Sequence, residues 1–99
     1  MPDVLLSFYC ARADGAAIAD ALREATHTPA HLRDELVFGL DFSDASTAER
    51  VSGQLNRCVV ELTVAGDMVD TLVQRIADLK RAAPVRWQVA PVSQSGRIA

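Results

Sequence analysis

Apolar residues recur at period two in three stretches of this chain and at helical spacing in two others. In residues 3–10, Val4, Leu6, Phe8 and Cys10 fall on one face and Leu5, Ser7 and Tyr9 on the other. Both faces are fairly apolar, which predicts a central strand. Residues 14–26 follow as an alanine-rich stretch, with Ile18, Ala21, Leu22 and Ala25 at i, i+3, i+4 and i+7. Asp14 is the expected N-cap of this helix, and Pro29 the residue that ends it. Leu36, Val37 and Phe38 centre a second strand over 32–40.

Residues 54–64 alternate again, with Cys58, Val60, Leu62 and Val64 facing one way. Arg57, Glu61 and Thr63 face the other way, together with Leu55 and Val59. A second amphipathic helix over 67–82 carries Val69, Leu72, Val73, Ile76 and Leu79. Asp67 and Asp70 at its start and Lys80 and Arg81 at its end complement the helix dipole. Pro84 stops it. The last strand, 85–92, puts Val85, Trp87 and Val89 on one face, and Pro91 marks it as an edge.

Strand–helix–strand–strand–helix–strand is the split-βαβ plan. It predicts an α+β, ferredoxin-like domain spanning 1–99: an antiparallel four-stranded sheet with both helices on one face. Strands one and three lie in the middle. The opposite face, with Leu5, Tyr9, Leu55 and Val59, is expected to be covered by another subunit.

The 13 acidic and 10 basic residues give a net charge of −3. The basic residues are scattered, so a nucleic-acid surface is not expected. No apolar run approaches the roughly 20 residues of a membrane span, and no basic leader precedes the first apolar stretch. A cytoplasmic location is the expectation, and two cysteines fit a reducing compartment.

Candidate chemistry is sparse. His27 and His31 have the spacing of two helical zinc ligands, but Pro29 between them predicts a loop. With strands one and three taken to run in the same direction, Cys10 and Cys58 lie roughly 20 Å apart along the sheet, at about 3.3 Å per residue. Both then read as small core hydrophobes. There is no nucleophile elbow, P-loop or dinucleotide fingerprint, and no enzyme is expected. The polar, small-residue connection 41–53 is the longest stretch without periodicity, and Ser46 or Thr47 is placed to cap a short helical turn there. Asp41, Asp44, Glu49 and Arg50 are its candidate contact residues, in a segment expected to order on binding.

The C-terminal run Trp87-Gln88-Val89-Ala90-Pro91-Val92-Ser93-Gln94-Ser95-Gly96-Arg97-Ile98 resembles the end of a family of uncharacterised bacterial PII-like domains. Residues 5–10, Leu-Leu-Ser-Phe-Tyr-Cys, and 46–53, Ser-Thr-Ala-Glu-Arg-Val-Ser-Gly, resemble it too. The resemblance implies a homotrimeric cytoplasmic regulator with an adenine nucleotide held between subunits. It implies a partner-binding loop at 41–53. Arg97 matches the first arginine of the PII phosphate-contacting motif, and Gly39 the glycine at the base of the loop. The second arginine, the glycine-lysine turn before the last strand and the modified loop tyrosine have no counterpart here. Relatives of this kind look like accessory proteins of membrane transporters, including metal efflux systems. The alternative is a metal-responsive trimeric module similar to copper-tolerance proteins.

Overall fold

The structure, a computed structural model, describes residues 2–38 and 54–99. Its elements run β1 (Asp3–Ala11), α1 (Gly15–Thr26), β2 (His31–Phe38), β3 (Gln54–Ala65), α2 (Val69–Ala77) and β4 (Arg86–Pro91). Single 3-10 turns, Arg12–Asp14 and Gly66–Met68, lead into the two helices. The strands form one sheet in the order β2-β3-β1-β4, with every neighbouring pair antiparallel. This is the ferredoxin-like arrangement. Gly39, Asp41, Asp44, Glu49, Arg50 and the rest of the expected 41–53 segment lie outside the described residues.

Period two does its work in the central pair. Leu6, Phe8 and Cys10 of β1, with Cys58, Val60 and Leu62 of β3, form a fully buried floor. Ile18 and Leu22 of α1 and Leu72 and Ile76 of α2 close over it. Each of the Val, Leu, Ile and Phe side chains among these contributes roughly 1.5–3 kcal/mol by leaving water. β4 lies at one edge, as Pro91 requires, and β2 at the other.

Both helices end on identifiable devices. His27 closes α1 in the left-handed region at φ 54, its amide donating to the Arg23 carbonyl at 2.8 Å. Thr26 Oγ1 donates to the Leu22 carbonyl at 2.7 Å. α2 stops at Ala77, short of the expected 82. The bonding there tightens, with the Leu79 amide reaching the Ile76 carbonyl at 3.2 Å. Arg81 then folds back, its guanidinium donating to the carbonyls of Ala77, Leu79 and Ala83. That side chain satisfies carbonyls which further helix would have paired.

Three expectations are corrected. Asp14 makes no side-chain cap on α1. Its carboxylate instead accepts the amides of Ala82 at 2.8 Å and Ala83 at 3.3 Å, which pins the start of α1 to the segment before β4. β1 and β3 are antiparallel, so Cys10 and Cys58 are directly opposite and not some 20 Å apart. The helix crossover returns the chain to its starting direction and the β2–β3 connection then reverses it, so β3 must oppose β1. Finally, one of the four open-face residues expected to need cover, Val59, does not. Val59 is already fully buried within the chain, and polar groups bridge the strands around it. Among the described residues the exposed large apolar side chains are Leu32, Leu36 and Phe38 on β2 and Trp87 and Val89 on β4, all on the helix side of the two edge strands, and Ile98 in the C-terminal tail.

Candidate functional site

Alternation that sends Leu6 and Phe8 into the core sends Ser7 and Tyr9 to the open face. There the antiparallel register sets Ser7 against Glu61 on one side and Gln88 on the other. Glu61 is the hub. Its Oε1 accepts from Arg33 Nη1 at 2.6 Å and its Oε2 from Ser7 Oγ at 3.1 Å. The Arg33 guanidinium is the main reason that the Glu61 carboxyl sits below its ordinary pKa, with Ser7 adding to the effect against the opposing influence of burial. Arg33 is in turn held charged more firmly by Glu61. One strand further on, Gln88 Nε2 donates to the Tyr9 hydroxyl at 2.7 Å.

Two concavities flank this network. One, of about 280 Å³, is lined by Tyr9, Glu35, Val37, Arg57 and Arg86. The other, of about 470 Å³, is lined by Leu5, Thr28, Pro29, His31, Glu61, Leu62 and Thr63. The first holds two guanidiniums, one carboxylate and a phenol ring. Arginine binds planar carboxylate or phosphate groups in bidentate fashion, but Arg57 and Arg86 already make interactions within the chain and Glu35 stands opposite Arg57 in the ladder.

On the helix side, the two cysteines form a second, buried cluster. Cys10 Sγ and Cys58 Sγ are 3.2 Å apart, and both residues are free thiols. Cys10 Sγ also approaches the Cys58 carbonyl at 3.7 Å, and Cys58 Sγ the Ala11 carbonyl at 3.8 Å. Burial, reinforced by the neighbouring Cys58 thiol, pushes the Cys10 thiol up to about 12. The chain order gives the opposed direction of β1 and β3, but it is the register of the ladder that sets residue 10 against residue 58.

The other residues singled out from sequence are not drawn together. Arg97 is exposed, in a tail (residues 93–99) that forms no helix or strand. His27 caps α1, whereas His31 opens β2 on the open face opposite Glu61. Among the described residues no group of three or more His, Cys, Asp or Glu side chains is arranged to hold a metal ion. Gly39, Asp41, Asp44, Glu49 and Arg50 fall outside the described residues. The residues that sequence reasoning passed over are Arg33, Arg57 and Arg86. Their signal was three arginines on alternating positions of three strands, readable only once the strands are ordered.

The family described as "Protein of unknown function (DUF3240)" matches residues 1–99. The chain belongs to the DUF3240 family. A crystal structure of a DUF3240 family protein from Shewanella baltica OS155 superposes with a TM-score of 0.78 at 18% identity, covering 100% of this chain and 99% of that one. Arabidopsis thaliana PII bound to citrate superposes with a TM-score of 0.68 at 16% identity, covering 93% of this chain and 78% of the PII chain. A Bacillus cereus protein related to NIF3 gives a TM-score of 0.69 at 9% identity, over 97% of this chain but only 26% of that protein. No curated protein matches in sequence. This DUF3240 chain therefore has a PII-like fold. No helix among its described residues is long and apolar enough to cross a membrane.

Proposed function

We propose that this DUF3240 protein is a non-catalytic, PII-like regulator, a homotrimer that binds a small anionic ligand and passes the bound state to a membrane-transport or enzyme partner. The observation that carries the reading is the PII-like course of almost the whole chain, joined to the arginine-lined concavity at Tyr9, Arg57 and Arg86. Citrate, present in the PII structure, is an anion of the kind that two guanidiniums suit. An adenine nucleotide presents the same anionic chemistry through its phosphates, and Arg97 is its candidate contact at a subunit boundary.

Exposed apolar residues support self-assembly. Leu36 and Phe38 lie on one sheet edge and Trp87 and Val89 on the other. Patches on different sides of one chain favour head-to-tail contacts, which close into a ring when the rotation fits. Among the described residues no strand pairs with the outer edge of β2 or of β4, and proteins commonly cover such edges by association. In this reading the β2–β3 connection, with Asp41, Asp44, Glu49 and Arg50, meets the partner, because two paired strands hold both its ends.

The test is a thermal-shift series with citrate, ATP, ADP and AMP, run beside light scattering. A ligand at a hundred times its dissociation constant adds about 2.7 kcal/mol. A trimer mass and an anion-dependent shift lost in Arg57→Ala, Arg86→Ala or Arg97→Ala support the reading. A monomer at micromolar concentration, or no shift with any anion at millimolar concentration, overturns it.

A further inference from the structure

The two cysteines are separated by 48 positions in sequence yet face each other across the β1–β3 ladder, their sulfurs 3.2 Å apart. Residues directly opposite in an antiparallel ladder have α-carbons about 4.5–5.5 Å apart. A disulfide accepts α-carbon separations of about 4.4–6.8 Å. The backbone therefore already stands where a disulfide needs it, and closing the bond takes only rotation and a small approach of the sulfurs. We propose that Cys10 and Cys58 form a reversible dithiol–disulfide couple, a redox-modification site that ties the two central strands together beneath the first turn of α1.

The surroundings are built around the sulfurs. Gly15 lies directly over Cys58, and a Cβ at position 15 would stand 2.5 Å from Cys58 Sγ. The missing side chain is the space that the sulfur occupies. Gly15 and the Ala11 carbonyl, at the two ends of the 3-10 turn Arg12–Asp14, stand against the Cys58 sulfur, so this turn is part of its cover. Asp14 fastens it by its two bonds to the Ala82 and Ala83 amides, and Arg12 reaches Asp34 of β2 at 3.9 Å. Both thiols are fully buried, so exchange requires this cover to lift. The high pKa of Cys10 points the same way, because the attacking species is the thiolate. The couple is thus gated by local opening and is inert while Asp14 holds the turn down.

The oxidant is a low-molecular-weight disulfide such as oxidised glutathione. In the opened state one cysteine loses its proton and its thiolate attacks a glutathione sulfur. The glutathione S–S bond breaks, one glutathione thiolate leaves, and a mixed disulfide forms. The second cysteine, also deprotonated, attacks the protein sulfur of that mixed disulfide and expels the other glutathione thiolate. The two protons shed by the cysteines end on the two glutathione thiolates. Two protein thiols are oxidised to one disulfide, and one oxidised glutathione is reduced to two thiols.

The test equilibrates the full chain in buffers of graded reduced-to-oxidised glutathione ratio, both folded and refolded from urea, followed by acid quench, alkylation in denaturant and intact mass. The expected result is a single intramolecular species lacking two hydrogens and resistant to alkylation, with the same midpoint ratio from either direction. It should melt on the order of 10 °C above the reduced form, given the long loop that it closes. Asp14→Ala should speed oxidation of the folded chain several-fold or more without moving the intramolecular assignment. Two alkylatable thiols at every ratio after refolding would overturn the proposal. So would a stable glutathione adduct alone, a disulfide joining two chains, or an oxidation rate indifferent to Asp14→Ala.

Discussion

Gly15 sits so closely over Cys58 that a single added carbon would lie 2.5 Å from the sulfur. Gly15 itself has an ordinary helical backbone, φ −58 and ψ −49, so the glycine is there for space and not for conformation. Gly15→Ala should therefore destabilise the protein by about 1–3 kcal/mol, as overpacking does. Introduced into Cys58→Ala, the same change should become neutral or stabilising by up to about 1 kcal/mol, because alanine is the better helix residue. The nearby Leu32 Cδ1, at 3.0 Å, ends a half-exposed side chain that can move aside. A double-mutant cycle by urea denaturation measures the coupling.

Asp14 is nearly buried and spends both carboxylate oxygens on backbone amides 68 and 69 positions away. Asp14→Ala should lower stability by about 1–3 kcal/mol through the amides left unpaired. Hydrogen exchange should rise first at Ala82, Ala83 and the first turn of α1, while β1 and β3 stay protected. Uniform loss of protection would show that Asp14 serves the whole fold.

The Glu61 carboxyl has its pKa lowered by Arg33 first and Ser7 second. A depressed folded value means that this contribution is complete above the ordinary value of 4.5 and is lost as the pH falls through the lowered folded value. Glu61→Gln should accordingly be less stable than the parent at pH 7, with the gap closing in acid as the parent's carboxyl takes up its proton. Denaturation curves from pH 7 downward measure this, and a gap that stays constant with pH would exclude the carboxylate as its source.

Val59 is enclosed within the chain, whereas Phe38 is 68% exposed and Trp87 47%. Val59→Arg should unfold the protein, since it buries a charge without a designed partner. If the protein is the trimer proposed above, Phe38→Lys and Trp87→Lys should keep the fold, by circular dichroism, and reduce the mass in light scattering to that of the monomer. If both lysine variants remain assembled, the contacts between copies lie elsewhere.

Much of this architecture was legible along the chain because it follows from local periodicity. Alternation in β1 and β3 marks their core-facing residues, and the stripes Ile18-Ala21-Leu22 and Leu72-Ile76 mark the buried sides of the helices. Pro91 marks an edge because it has no amide to donate. These signals depend on a residue and neighbours within a turn or two, so sequence determined them alone. Strand direction and register are different in kind. They set Cys10 against Cys58, bring Arg33 and Ser7 to one carboxylate, and carry the Ala82 and Ala83 amides to Asp14. Each of these meetings joins positions 28 to 69 residues apart. A polar residue whose best partner is that distant shows nothing locally of where its bond will go, and Asp14 before a helix reads as a cap. Only the tertiary structure decides such pairings, because register is chosen by the packing of whole faces, and a shift of one residue would exchange every core side chain for a solvent-facing one.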